Sequence, residues 1–273
     1  MTIVRACAWP ARARVTGAGA GLVLVLLAVG CGGDDDGPAP ADTAGRIEIE
    51  EAELGGIGAT ASIYASFEAP PAADVVNDGT CGVRPRPCLG QVGACASPPQ
   101  FSAGTIAITG LARAITLVPD GASHFYPSPP GLPAALFADD ARVQVTAAGD
   151  QVDGFTLETG GVAPLVSPYV DASLGLAPGQ PLALTWTAAA GDARIELEVN
   201  WASICHAGAD WYVLTCDVPD TGAFTVPAAI TAALPSASGF GPCGARLARV
   251  RRATVPGRDI TLTVRSADYV GFF

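Results

Sequence analysis

The chain has 273 residues, of which 49% are hydrophobic and 15% are charged, and its formal net charge is −11. All 15 basic residues are arginines, which excludes lysine Schiff-base chemistry and the lysine of a phosphate-binding loop. The two histidines, His124 and His206, are too few for a multi-histidine metal site. An acidic balance without clustered basic residues disfavours nucleic acid as a partner.

Residues 1–30 are typical of an export signal. Arginines precede an apolar run at Leu22–Val29, which is about 12 Å long as a helix and too short to cross a bilayer core of about 30 Å. The run ends in Leu27-Ala28-Val29-Gly30-Cys31, which resembles the lipobox of bacterial lipoproteins. The resemblance implies that Cys31 receives a diacylglyceryl group and becomes the mature N-terminus. The alternative is an ordinary small residue at a standard signal-peptidase site.

The segment that follows the signal, residues 31–45, is rich in Gly, Asp and Pro and predicts a disordered tether. Several acyl chains on Cys31 would hold the protein firmly in a membrane, because each buried methylene contributes about 0.8 kcal/mol. Gly32 after the cysteine is compatible with transfer to the outer membrane. We therefore expect a lipid-anchored protein of the cell envelope, at the outer membrane, either periplasmic or surface-exposed.

Six cysteines remain once Cys7 and Cys31 are set aside. An even number in an exported chain predicts three disulfides. Zinc is disfavoured because the first three are separated by six residues each, and no Cys-x-x-Cys motif is present to lower a thiol pKa. We expect bridges mainly within each half of the body, but three cysteines per half require at least one bridge between halves or two free thiols. The candidates are Cys81, Cys88, Cys95, Cys205, Cys216 and Cys243.

The body of the chain shows alternating apolar and polar residues in short runs, which predicts antiparallel β-strands with one solvated face. Long amphipathic helices between strands are absent from the pattern, so an α/β fold is disfavoured. One short helix is expected at 227–234, between Pro227 and Pro235. The twelve predicted strands are 46–50, 62–67, 105–109, 115–118, 142–146, 155–158, 182–186, 194–199, 211–216, 223–226, 247–252 and 260–264.

Two β-rich segments are expected, divided near residue 167, where Pro164 and Pro168 flank a short run. The first, 46–167, contains a proline-rich loop at 70–100 with no convincing strand, and its cysteines would staple it. The second is 168–273. The expected fold is all-β, an antiparallel β-sandwich built as two units.

Two stretches of the second segment carry a further resemblance. Pro178–Trp186 and Cys216–Pro227 look like parts of the immunoglobulin-like β-sandwich modules in uncharacterised lipoproteins of high-GC bacteria. The resemblance implies that Trp186 is a core residue and that Asp220-Thr221-Gly222 closes a hairpin before the next strand. No activity is implied. Trp186 precedes both Cys205 and Cys216, which departs from the antibody order of Cys, Trp and Cys.

The sequence contains no recognisable catalytic motif. Ser-His-Asp chemistry needs a base beside a nucleophile, but no Gly-x-Ser-x-Gly occurs, so we interpret His124 and His206 as solvated or packing residues. Paired carboxylates could act on a sugar. Alternation places these pairs on the polar side of their strands, where solvated faces explain them better: Glu48 with Glu50, and Glu196 with Glu198.

Two further sets of charged residues are candidates for binding a ligand, one acidic and one basic. Calcium could bind Asp139-Asp140 or Asp150–Gly154, but neither has the EF-hand spacing, so turn-forming aspartates are favoured. A run of arginines could recognise an anionic glycan, a lipid head group or a protein. We favour a solvated strand face for these residues, which are Arg246, Arg249, Arg251, Arg252 and Arg258.

Aromatic residues form the best candidate for a ligand site. Trp201, Trp211 and Tyr212 flank the Cys205 loop and could stack against a sugar, with core packing as the alternative. The sequence therefore predicts a non-enzymatic protein with no catalytic residues, no metal and no cofactor, and with a binding or structural role at the envelope. Its partner would be an envelope protein or a polysaccharide. The alternative is a carbohydrate-binding accessory protein of a polysaccharide-degrading system.

Overall fold

Strands dominate the part of the chain that the structure describes. The structure is a computed structural model, and it describes residues 39–40, 42–54, 58–70, 73–86, 98–121, 123–169, 174–203, 211–237 and 239–270. The predicted signal, Cys31 and most of the predicted tether lie outside these residues. No helix among the described residues has the length and hydropathy needed to cross a membrane.

All twelve predicted strands are present, and the all-β prediction is confirmed. Two more strands, Val76–Asn77 and Cys81–Pro85, lie in the segment 70–100 that the sequence predicts as a loop. In chain order the strands are β1 (Ala44–Leu54), β2 (Gly58–Glu68), β3 (Val76–Asn77), β4 (Cys81–Pro85), β5 (Ile106–Thr109), β6 (Ile115–Leu117), β7 (Arg142–Ala147), β8 (Phe155–Gly160), β9 (Leu182–Thr185), β10 (Arg194–Ala202), β11 (Trp211–Pro219), β12 (Ala223–Val226), β13 (Gly241–Thr254) and β14 (Ile260–Val270).

The predicted helix is present but shorter than expected. It is α1, Ala228–Thr231, and it follows Pro227, whose φ of −63° suits the position before a first helical turn. The Thr231 hydroxyl donates a hydrogen bond to the carbonyl of Gln180, at 2.8 Å, and so fixes the helix to the segment before β9.

The strands form one large sheet and two small ones. The large sheet has eight strands in the order β2-β1-β14-β13-β10-β11-β4-β3, a four-stranded sheet has the order β6-β5-β7-β8, and a two-stranded sheet pairs β12 with β9. Neighbours run antiparallel except β1 and β14, which are parallel along Gly45–Leu54 and Ile260–Tyr269. The sheet therefore departs from the purely antiparallel arrangement that the sequence predicts.

Two hydrophobic cores lie on the same face of the large sheet, which we call the inner face. The first core joins β1, β2 and the start of β14 to the four-stranded sheet, through residues such as Ile47, Phe67 and Leu262. The second joins β10, β11, β13 and β4 to the two-stranded sheet and α1, through Leu197, Leu247 and others. Each half is a sandwich of two layers, and the immunoglobulin-like arrangement stays a prediction.

The large sheet contains strands from both sides of residue 167, and Asp36–Phe273 make one compact unit by their contacts. The division predicted near residue 167 falls between the two small sheets, while the large sheet continues across it. A disulfide joins the same two parts of the chain. Cys81 of β4 is bonded to Cys216 of β11, directly opposite in the register and 135 residues away in sequence.

The disulfide prediction is therefore confirmed for this pair, and the expectation that bridges stay mainly within halves does not hold for it. Cys243 is also disulfide-bonded. Its partner lies outside the described residues, as do Cys88, Cys95 and Cys205. The third bridge stays a prediction.

Candidate functional site

The most highly charged part of the described molecule is the side of the large sheet opposite the two cores, which we call the charged face. Period-two alternation places it there, because Ile47 and Ile49 fill the first core while Glu48 and Glu50 point the other way. The largest group of charged residues in contact on this face comes from β1, β10, β11, β13 and β14: Glu48, Glu50, Arg194, Glu196, Glu198, Asp217, Arg246, Arg252 and Arg265.

Arg246 is the centre of the charged face. Its guanidinium contacts three carboxylates, at 3.2 Å from Glu50, 3.0 Å from Glu196 and 3.1 Å from Glu198. Arg265 extends the network, with its Nη1 2.8 Å from Glu48 and 3.7 Å from Glu50. These six residues join strands β1, β14, β13 and β10 by charge as well as by backbone pairing.

Glu196 contacts three arginines: Arg246, Arg265 at 3.7 Å, and Arg252, which also lies on β13. Arg252 pairs with Glu196 and, at 2.6 Å, with Asp217 of β11. Burial raises the pKa of Glu196, but Arg265, Arg246 and Arg252 together lower it more, so its pKa lies below the ordinary value. Burial lowers the pKa of Arg246, and the carboxylates of Glu198, Glu196 and Glu50 reverse that shift, so its pKa is raised.

Two tyrosines border the carboxylates of the charged face. The Tyr269 hydroxyl donates a hydrogen bond to Glu50 at 2.9 Å. Burial, together with the charge of Glu50, raises the pKa of Tyr269 to about 12. Burial also raises the pKa of Tyr64, and Glu48 beside it adds to the shift. Both phenols therefore stay protonated at neutral pH and act as hydrogen-bond donors.

The prediction that these acidic pairs are solvated is wrong. Glu48 and Glu50 are each 8% exposed, and Arg265 is 2% exposed. Alternation correctly placed them opposite the apolar residues, but the neighbouring strands bring arginines into register with them. Some of the buried polar atoms on these strands make no hydrogen bond, namely Arg265 Nε, Arg246 Nε and Asn200 Oδ1. Arg246 and Arg252 nevertheless donate hydrogen bonds to the carboxylates with which they pair, so these guanidinium charges are already matched.

Replacing Glu196 with glutamine is expected to lower the free energy of unfolding at pH 7 by roughly 2 kcal/mol, because the buried Arg265 and the partly buried Arg246 and Arg252 lose a shared carboxylate. The folded pKa of Glu196 is lowered, so the stability it contributes is present above its unfolded pKa of about 4.3 and is lost as the pH falls through the folded value. Urea unfolding of both proteins at pH 7 and pH 3 should show the difference at pH 7 and little of it at pH 3.

The matched control is Glu158→Gln, on β8, because Glu158 pairs with Arg142 at the exposed surface. Its unfolding curve should follow that of the unmodified chain at both pH values. A Glu196→Gln loss of equal size at pH 3 and pH 7 would contradict the assigned role of charge.

A second polar group crosses the inner face between the two cores, and we call it the polar strip. Its residues are Arg249 and Arg251 of β13 with Ser266 and Asp268 of β14. Residues 161–167, the connector between the four-stranded and two-stranded sheets, run along it. Leu165 N donates to Ser266 Oγ at 3.0 Å, and Ser167 N donates to Asp268 Oδ2 at 3.1 Å.

Arg249 holds the connector most firmly. It is 1% exposed, and its guanidinium donates to Asp220 at 2.7 Å and to the carbonyls of Ala163, Pro164 and Thr187 at 3.1, 2.6 and 2.6 Å. The Asp220 carboxylate also accepts a hydrogen bond from the Trp186 indole at 2.6 Å. Arg249 therefore ties the connector and the turn after β11 to the middle of the sheet.

Of the two positions that the resemblance to immunoglobulin-like modules implied, one is as expected and the other is corrected. Trp186 is 7% exposed and belongs to the second core, as expected. The turn Asp220-Thr221-Gly222 does not close a hairpin, because β11 belongs to the large sheet and β12 pairs with β9. The turn instead carries the chain from one layer to the other, and Gly222 supplies its positive φ of 89°.

The interpretation of the arginine run as one solvated face is wrong. Arg246 and Arg252 lie on the charged face, whereas Arg249 and Arg251 lie on the polar strip. Arg251 contacts Asp140 and Asp192 and donates to the carbonyl of Gly161 at 2.7 Å.

Arg252 lines two polar grooves on the surface. One, of about 480 Å³, is lined by Asp140, Asp192, Arg194, Arg251 and Arg252 among others. The other, of about 320 Å³, is lined by Gly82, Arg84, Thr215, Asp217 and Arg252 among others. In the first groove, Arg194, Arg251 and Arg252 are already paired with aspartates or Glu196, so an anionic ligand there would have to displace these carboxylates.

The aromatic residues predicted to bind a sugar are largely buried. Trp201 is 3% exposed, belongs to the second core, and donates its indole hydrogen to the carbonyl of Pro235 at 3.0 Å. Trp211 is 8% exposed. Tyr212 lies opposite Trp201 in the register and packs edge-on against Phe240. A sugar could stack on neither indole without a rearrangement, so the carbohydrate-binding alternative gains no support here.

The remaining predicted positions are separate from one another. His124 lies in an exposed turn after β6, Asp140 pairs with Arg251, and the carbonyl of Asp153 accepts hydrogen bonds from Arg258 at 3.2 Å. His206 lies outside the described residues. Within the described ranges, no group of three or more His, Cys, Asp or Glu side chains is placed to hold a metal ion.

Comparison of the chain with protein-family models, with curated proteins and with solved structures found no match.

Proposed function

We propose that this protein is exported, lipid-anchored through Cys31, and works at the cell envelope as a non-catalytic binding or structural module. The observation that carries the proposal is the Cys81–Cys216 disulfide, which crosses between two strands of the large sheet. Structural disulfides form and persist in oxidising compartments outside the cytoplasm. The bridge thus agrees with the export signal and the lipobox-like sequence that precede the body.

The non-catalytic part of the proposal is supported by how the described charged residues are used. The arginines of the charged face and the polar strip contact carboxylates or backbone carbonyls of the protein itself. These contacts join strands to strands and fix the connector. They suit a rigid platform that presents its loops and edges to a partner.

Replacing Cys31 with alanine is expected to abolish lipid attachment and to release the protein from membranes, because the acyl chains supply the hold on the bilayer. The measurement is incorporation of an alkyne-labelled palmitate by growing cells, together with the fraction of protein that sediments with membranes after an alkaline wash. We expect the label to disappear and the sedimenting fraction to fall at least tenfold.

Cys7→Ala is the matched control, because Cys7 lies in the predicted signal, ahead of the lipobox-like sequence. It should keep both the label and the membrane fraction of the unmodified chain. Unchanged labelling of the Cys31→Ala protein would contradict the anchor.

The compartment is tested by adding a protease to intact cells and to lysed cells, with detection by an antibody against the body. Digestion in intact cells would favour adhesion or capture of an external polymer. Protection until lysis would favour a scaffold or assembly role in the periplasm.

A further inference from the structure

One end of the first sandwich receives the chain that comes from the tether, and we call it the entry end. β1 begins at Ala44, opposite Glu68 at the end of β2. Ala39 donates a backbone hydrogen bond to the carbonyl of Gln151 at 2.9 Å, in the loop between β7 and β8. The chain therefore reaches the body beside Glu68 and Gln151.

The loop that follows β6 projects at the same end. Tyr126 pairs with Ala65 of β2, and Ile63 N donates to Ser128 Oγ at 3.2 Å. Residues 126–128 thus run antiparallel to β2, and the chain just before them, including Phe125, lies toward Glu68. Val118, directly after β6, belongs to the same loop.

This loop exposes apolar side chains. In the described part of the chain, four large hydrophobic residues are exposed, and two of them are Phe125 at 44% and Val118 at 60%. The other two, Val75 and Val166, lie elsewhere, with Val75 beside β4 near the opposite edge of the large sheet. Two of the four therefore share one loop, at the end of the body that the tether reaches.

The loop is held in place rather than loosely attached. The Tyr126 hydroxyl accepts a hydrogen bond from Ala103 N and donates one to the carbonyl of Gly104, both at 2.8 Å. Asp120 N donates to the carbonyl of Phe125, and Ser123 N donates to the Asp120 carboxylate. His124 is held at a φ of 55°, which non-glycine residues rarely adopt. The apolar side chains are presented by a fixed turn.

The tether limits how far this end can be from a bilayer. Ala39 is eight residue steps after Cys31, so a lipid on Cys31 would keep the entry end within about 27 Å of the membrane surface. The end also carries exposed aspartates beside the apolar pair, at Asp42, Asp120, Asp150, Asp153 and Asp259. These carboxylates repel anionic lipid, whereas a zwitterionic lipid surface carries no net charge to repel them.

We propose that the entry end docks on the membrane that holds the lipid anchor, with Phe125 and Val118 inserted among zwitterionic head groups. The inference rests on the proposed lipid anchor and adds an orientation to it. Apolar side chains at an interface enter about 5 to 10 Å, to the boundary between head groups and acyl chains. Docking would leave the second sandwich and the far edge of the large sheet directed away from the membrane.

The test uses the full-length lipidated protein, reconstituted in vesicles of phosphatidylethanolamine and phosphatidylcholine whose acyl chains carry bromine. Val118→Trp and Val75→Trp form a matched pair, because they make the same substitution at 60% and 61% exposure. Trp186, Trp201 and Trp211 are buried in both proteins, and their fluorescence is subtracted by using the unmodified chain. We expect the bromines to quench the tryptophan at position 118 at least about twofold more than the one at position 75.

The outcomes separate docking from anchoring. Sedimentation of the protein with the vesicles, with selective quenching at position 118 that falls when phosphatidylglycerol is added, supports the proposal. Sedimentation with equal quenching at both positions overturns docking and leaves the anchor intact, and would turn attention to a protein partner for this end. Failure to sediment overturns the anchor and the docking that depends on it.

Discussion

Replacing Arg249 with methionine is expected to lower the free energy of unfolding by about 3 to 5 kcal/mol, the cost of breaking a buried ion pair by removing one partner. The change leaves the Asp220 carboxylate, whose side chain is 4% exposed, without its cation. It also leaves the carbonyls of Ala163, Pro164 and Thr187 without their guanidinium donors. The melting temperature should fall by roughly 10 °C, measured by calorimetry or circular dichroism.

The matched control is Arg142→Met on β7, where the arginine is exposed and pairs with Glu158. An exposed pair contributes little, so the melting temperature should stay close to that of the unmodified chain. The double variant Arg249→Met/Asp220→Asn should recover part of the loss, because the buried carboxylate is no longer charged. A melting temperature for Arg249→Met equal to that of Arg142→Met would contradict the role assigned to Arg249.

The strands were predictable because each buries one side and exposes the other. In β7, for example, Val143 and Val145 are fully buried while Arg142 and Thr146 are exposed, which is the period of two that a half-buried strand imposes. β4 was missed because it is short and lies among prolines and glycines. Its signal was the pair Cys81 and Val83, both buried on the inner face.

Strand neighbours were not predictable from the same pattern. β1 and β14 lie at opposite ends of the described chain, and alternation says which face a residue occupies but not which strand lies beside it. The parallel pair therefore gave no local signal. The same reason hid the disulfide partner of Cys81, although three cysteines on each side of the chain allowed only a bridge of this kind or two free thiols.

The side-chain contacts of the candidate site were also not predictable without knowing which strands are neighbours. Alternation correctly put Glu196 and Glu198 opposite the core, and solvation was the simplest interpretation of a polar strand face. Arg246 lies opposite Glu198 only once β10 and β13 are paired in register. Burial of Arg249 likewise depends on the connector, which crosses the sheet at that point. Charge networks between distant strands need the register before they can be recognised.

Replacing both Cys81 and Cys216 with alanine is expected to lower the free energy of unfolding by up to about 5 kcal/mol. The bridge closes a loop of 135 residues, and in the chain-entropy account the unfolded chain regains most freedom when such a long loop is opened. Both side chains are buried, at 1% and 2% exposure, so alanine avoids placing a polar group in the second core. Urea unfolding gives the free energy.

The same double variant also tests where the bridge acts in the folded protein. β3 and β4 are the last strands of the large sheet on that side, and β4 pairs with β11 over five residues only, so the bridge fixes the edge through its first residue. Without it, amide hydrogens of β3 and β4 should exchange faster, while those of β1 and β14, toward the other edge of the sheet, should lose protection only as far as global stability falls. Uniform loss of protection across all strands would mean that the bridge acts only on the unfolded chain. Unchanged unfolding and unchanged exchange would mean that backbone pairing of β4 with β11 holds the edge without it.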